Sequence, residues 1–242
     1  MVAGVLMLPN FLCSPFRSIM EHTAETNGVR LAGNEGRLWK CLGPGKTRHW
    51  DEDVVTMQTA DKYGLYDQLV DLPETLTGEI LNGQLHAQPR PAPKHLHATS
   101  RLDRTVGRGY GDGDGGPGGW WILIEPEIHF VRDIDVAVPD LAGWKRERMA
   151  SLPETACFEI APDWDCETLS PSTASKDREI KMPLYARYGV SYAWLVDPEA
   201  RTLETFELQG RAWTESGRYA AGDRVAVAPF DAITLDLADL WA

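Results

Sequence analysis

The 242-residue chain has no run of about eighteen or more uncharged apolar residues, so no membrane-spanning helix is expected. The opening Met1 to Cys13 is apolar but lacks a basic leader and a small-residue cleavage site, which argues against a secretory signal. Cysteine is scarce: Cys13, Cys41, Cys157 and Cys166 match neither a zinc-ligand pair nor a disulfide framework, and a reducing cytoplasm is the expected compartment. Basic residues are few beside acidic ones, 24 Lys and Arg against 36 Asp and Glu, for a net charge of -12. Such a balance disfavours non-specific electrostatic holding of a polyanion, because neutralising phosphates takes clustered Lys and Arg. The Gly-rich stretch Gly111 to Gly119 lacks the GK[ST] ending of a phosphate-cradling loop. There is no internal repeat.

Residues 1–56 lack sustained helical or alternating periodicity and read as a disordered extension or a misassigned start, with the folded domain spanning 57–242. From Met57 onward, Ala60, Tyr63, Leu65, Tyr66, Leu69 and Val70 recur at near-helical spacing until Pro73. Asn82-Gly83, flanked by Glu79, Leu81 and Leu85, predicts a two-residue β-hairpin turn. Leu96, Leu102 and Val106 predict a helix over 94–106, with Lys94, Arg101, Arg104 and Arg108 as a candidate basic strip. Glycines over 107–119 predict a flexible loop.

Trp120 to Val131, Asp135 to Leu141 and part of Cys157 to Leu169 carry the β-branched and aromatic residues of central strands. Ser172 or Thr173 is placed to cap a helix reaching Tyr188, Gly189 to end it, and Tyr192 to Val196 to return as a buried strand. Strand, helix and strand make a parallel crossover, hence an α/β fold. A hairpin over Thr202 to Leu208 and Ala212 to Thr214 follows, then strand pieces ending in Leu235 to Trp241.

The chemistry rests on acids spaced along successive strands, Asp140 in VAVPDLAGW and Glu167 in CETLSPST, followed by Lys181 on the next helix. Two carboxylates suit magnesium, which takes hard oxygen ligands and keeps several waters. The remaining positions can accept a phosphate oxygen and a water of lowered pKa. A lysine nearby would orient that water or stabilise charge on the phosphorus. Each residue also has a plain structural role: Pro-Asp pairs often turn a chain, Glu167 can end a strand, and Lys181 can pair with Asp177.

VPD, followed by ETLSPSTASKDREIKMPLYARYGVSYAWLVDP, resembles the Uma-type endonuclease family of the PD-(D/E)XK superfamily over roughly Tyr63 to Ala242. The resemblance implies a restriction-endonuclease-like α/β domain: a mixed central sheet flanked by helices, with a C-terminal β-hairpin. It implies a magnesium-dependent endonuclease, with manganese an acceptable substitute, that hydrolyses phosphodiester bonds in nucleic acid. DNA is the expected substrate and a homodimer a possible assembly. The alternative is a catalytically inactive module of the same fold that binds nucleic acid or a partner protein. Another metal-dependent phosphoryl hydrolase is a remoter reading.

In the superfamily a lysine stands two residues after the second acid, a position held here by Leu169; the resemblance implies that Lys181 takes over its part. Asp177, Lys181 and Tyr185 lie four apart on one helix face. Glu79 in GEILNGQL matches a further family acid beside the metal, and His95 in PAPKH matches a family histidine. Asp165, where the family has an apolar residue, shares a strand face with Glu167 and would add a ligand or disturb the site. Tyr192 and Ala193 replace a Glu-Tyr pair. Trp194, Tyr185 and Leu184 are expected in the core, without chemistry.

Overall fold

The computed structural model describes residues 64–242, so the expected start at Met57 and the segment before it lie outside the described residues. After a short helix α1 (Leu65–Val70), strands β1 (Leu76–Leu81) and β2 (Gln84–Pro89) pair in an antiparallel hairpin. The turn is the one that Asn82-Gly83 predicts: both residues have positive φ, 54° and 72°, which matches the right-handed twist of the flanking strands.

Helix α2 (Pro93–Val106) starts with Pro93 in its first turn, where a missing N–H costs nothing. It does not end at the glycines. A π-helical segment, Gly107–Asp112, continues it until Gly113 adopts φ 75°. The expected loop is therefore half helix. Tyr110 within it is buried against Trp120 and Phe230, giving this Gly-rich segment an anchor that composition alone does not reveal.

The stretch 120–131 is two strands, β3 (Trp120–Ile124) and β4 (Ile128–Val131), broken at Glu125 (φ 47°) and Pro126. They join different sheets, and each is an edge strand rather than a central one. Residues 135–141 divide likewise into β5 (Asp135–Ala137) and the start of β6 (Leu141–Lys145), so Pro139 and Asp140 lie where the chain leaves one sheet for the other. Next come β7 (Trp164–Thr168), then α3 (Ala174–Lys176), a π-helical turn (Asp177–Lys181) and α4 (Met182–Arg187) running on as one helix, 174–187. Gly189, at φ 77°, lets the chain turn back, and β8 (Tyr192–Asp197) follows. The hairpin β9 (Thr202–Gln209) and β10 (Ala212–Ala220), the pair β11 (Arg224–Val225) and β12 (Leu235–Asp236), and a 3₁₀ turn (Leu237–Leu240) complete the chain.

The larger sheet has six strands in the order β10-β9-β8-β7-β6-β3, and the smaller has four, β2-β1-β5-β4. In the larger sheet β7 and β8 are parallel and every other pair antiparallel, so the mixed sheet follows from one helical crossover. Alternation along β7 decides what each face does. Trp164 and Cys166 point into the main core with Leu102 and Val106 of α2, around Phe230, whose ring meets Trp164 at 4.8 Å and Trp120 at 5.1 Å. Asp165 and Glu167 point to the opposite face, which the helix 174–187 covers with Met182 and Tyr185. Among the described residues no helix is long and apolar enough to cross a membrane.

Candidate active site

Strand β7 ends beside the switch from β5 to β6, which brings Asp140 to it. Asp140 Oδ2 accepts the backbone N–H of Thr168 at 2.7 Å and lies 3.1 Å from His95 Nε2. On the neighbouring face, Glu167 Oε1 accepts the Tyr185 hydroxyl at 2.6 Å and pairs with Lys181 Nζ at 2.6 Å. Lys181 also meets Glu79 Oε1 at 2.9 Å and the Val138 carbonyl at 3.3 Å. The other Glu79 oxygen binds Lys176, and Glu79 Oε1 further accepts the Val138 N–H at 3.0 Å.

Asp140, Glu167 and Lys181 thus line one cavity of about 270 Å³, together with His95, Asp177 and Thr168. Its walls are the Pro-rich segment 89–92 and the loop 170–173. Glu79 stands behind Lys181, outside the lining. Asp140 Oδ1 and Glu167 Oε2 have no hydrogen-bond partner among the described residues.

Burial sets the electrostatics. It favours neutral forms, yet Lys181 stays charged, with its pKa well above the usual range, because Glu167 and Glu79 flank it. Burial would raise Glu79 too, but Lys181 and Lys176 hold it down to about 2. Glu167 is pushed well up by its own desolvation, against the pull of Lys181, with Asp177, Asp140 and Glu79 adding repulsion. Asp177 is raised by burial although Lys181 and Lys176 oppose the shift. Glu167 and Asp177 are thereby biased toward their neutral forms as long as no further positive charge enters the cavity.

The sequence model of the Uma2 family, described as "Putative restriction endonuclease", matches residues 65–238. This chain belongs to the Uma2 family. A crystal structure described as "a putative nuclease belonging to DUF820", from Anabaena variabilis ATCC 29413, shares the fold with a TM-score of 0.58. The two sequences are 24% identical, and the likeness covers 74% of this chain and 97% of that one. No curated protein matches.

In this Uma2-family chain, five residues singled out from sequence converge: Asp140, Glu167, Lys181 and His95 on the cavity, and Glu79 behind them. Two contributions were not foreseen. Tyr185, expected as plain core, is fully buried but donates its hydroxyl to Glu167. Asp177, read only as a companion of Lys181, is a third carboxylate in the lining. Its four-residue spacing to Lys181 was the available signal. The candidate basic strip on α2 is largely neutralised, since Lys94 pairs with Glu199, Arg101 with Asp239 and Arg108 with Asp114.

Asp165 is 0% exposed, and neither carboxylate oxygen has a hydrogen-bond partner. It lies between Ala142 and Ala193 of the adjoining strands. Its pKa is driven well up by desolvation, with Lys181 pulling the other way. A folded-state pKa above the unfolded value of about 3.9 means that the native state holds a proton the unfolded chain releases. Stability from this group is accordingly lost as pH rises above about 4. Asp165→Val is expected to stabilise the protein by about 1–3 kcal/mol at neutral pH, and by less near pH 4. Urea unfolding in chelator at both pH values checks this; a destabilised variant would mean that the carboxylate has an unrecognised partner.

Proposed function

We propose that this chain is a magnesium-dependent endonuclease that hydrolyses phosphodiester bonds in nucleic acid, with DNA as its substrate. The observation that carries the reading is the pair of carboxylate oxygens without donors, Asp140 Oδ1 and Glu167 Oε2, on one cavity beside a charged lysine. Membership of a family described as "Putative restriction endonuclease" supports the reaction class.

The donor set fits the ion. Magnesium needs only one or two carboxylates and retains waters, and manganese accepts the same oxygens. Among the described residues no three His, Cys, Asp or Glu side chains are placed to ligate one ion together, so the protein ligands on offer are the two carboxylates Asp140 and Glu167. A divalent charge would also favour the ionised forms of Glu167 and Asp177, which burial disfavours. Bound there, the ion would supply a water of lowered pKa and neutralise charge on the scissile phosphate.

The chain's own groups do the rest. Tyr185 and Lys181 occupy Glu167 Oε1 and leave Oε2 for coordination. Lys181 donates to the Val138 carbonyl and is held at ion-pair distance by Glu167 and Glu79, so it acts on a phosphate through its positive field. Glu79, ionised between Lys181 and Lys176, holds that field in place.

Incubating the full chain with supercoiled plasmid tests the reading. Nicking is expected with Mg²⁺ or Mn²⁺ and none in chelator. Cleavage that persists in chelator overturns the cation requirement, whereas DNA binding without turnover under either cation establishes the inactive-module alternative.

A further inference from the structure

We propose that His95 is a positioning residue for the cation site, which fixes the Asp140 carboxylate so that only Oδ1 is presented to the ion. The inference rests on the reading of Asp140 as a ligand. A carboxylate accepts and cannot donate, so the 3.1 Å contact from His95 Nε2 to Asp140 Oδ2 places the ring proton on Nε2. The same Oδ2 takes the Thr168 N–H at 2.7 Å. Two donors on one oxygen leave the other as the available ligand.

The backbone that carries the ring is held within its own helix, while the second ring nitrogen, Nδ1, is buried without a hydrogen-bond partner among the described residues. One turn further along α2, Thr99 Oγ1 donates to the His95 carbonyl at 3.0 Å and meets Thr168 Oγ1 at 2.8 Å. Helix α2 thus reaches Thr168 twice, directly through Thr99 and, by way of His95 and Asp140, at its backbone N–H. His95 is 9% exposed and borders the cavity, and the Nε2 contact with Asp140 is what ties its ring to the site. A carboxylate limited to one oxygen suits six-coordinate magnesium, while larger calcium readily takes both oxygens. An outer partner of this kind is worth about 10- to 100-fold in metal affinity.

The test is calorimetric titration of the full chain with Mn²⁺ and then Ca²⁺, for wild type, Asp140→Ala, His95→Leu, His95→Ala and His95→Gln. Both donor-free variants are expected to bind Mn²⁺ about 10- to 100-fold more weakly, with a smaller loss for Ca²⁺. His95→Gln, which keeps an N–H donor, is expected to recover most of the Mn²⁺ affinity. His95→Ala carries the comparison if leucine prevents folding. Wild-type Mn²⁺ affinity in the donor-free variants, alongside lost binding in Asp140→Ala, overturns the role of His95 alone. So does equal weakening in Gln, Leu and Ala. No Mn²⁺ binding by wild type, or unimpaired binding by Asp140→Ala, overturns the cation site itself.

Discussion

Lys181→Met is expected to destabilise the protein by about 3–5 kcal/mol, because it removes the one cation shared by two buried carboxylates. The Lys181 side chain is 3% exposed, as is that of Glu167, and that of Glu79 is 2%. Methionine approximates the volume but leaves Glu167 with only the Tyr185 hydroxyl, while Glu79 keeps Lys176. The larger share of the loss should therefore come from Glu167. Adding Glu167→Gln to Lys181→Met should recover part of it, since an amide needs no counter-ion. Arginine should not rescue, because its planar fork cannot occupy a compact ammonium site between Glu79, Glu167 and the Val138 carbonyl. Urea unfolding in chelator measures all four proteins. A single-variant loss under about 1 kcal/mol would mean that the pair behaves as an exposed salt bridge.

The same ion cluster shows which parts of the molecule could be read in advance. Local signals were legible: Asn82-Gly83 fixes its turn by backbone chirality, Gly189 ends its helix, and the β7-helix-β8 crossover follows from pattern and length. That Asp140, Glu167 and Lys181 share one cavity was anticipated by acids placed along successive strand patterns and, for Lys181, by the family resemblance. What stayed hidden depends on partners distant in sequence. Pro126 within WWILIEPEIHFV was the available signal of a break, but that its two halves join different sheets depends on distant partners. Nothing in GRGYGD marks a helical turn until Phe230 and Trp120 receive Tyr110. The Tyr185 hydroxyl looks like core until Glu167, eighteen positions earlier, accepts it. Periodicity reports which face a residue occupies; it is silent on what polar atom waits there.

Asp140→Asn and Glu167→Gln are each expected to lower magnesium-dependent cleavage by at least about 100-fold, since a polarising ion supplies several kcal/mol and each 1.36 kcal/mol is tenfold in rate. Neither should cost the fold. The asparagine oxygen can still accept from the Thr168 N–H and His95, and the glutamine oxygen from Tyr185 and Lys181. Each amide then turns its NH₂ toward the cavity, where it can coordinate nothing. Relief of the desolvation that pushes Glu167 upward offsets the weaker pairing with Lys181, so its melting temperature in chelator should stay close to wild type. Turnover on plasmid, measured beside melting curves, separates a lost ligand from a lost fold. Combining the two substitutions gives the sharper result. If both acids serve one ion, the double variant should be barely worse than either single one, because the ion is already gone. Fully multiplied losses would mean that the two carboxylates act independently, and full activity in either folded single variant would remove that acid from the site.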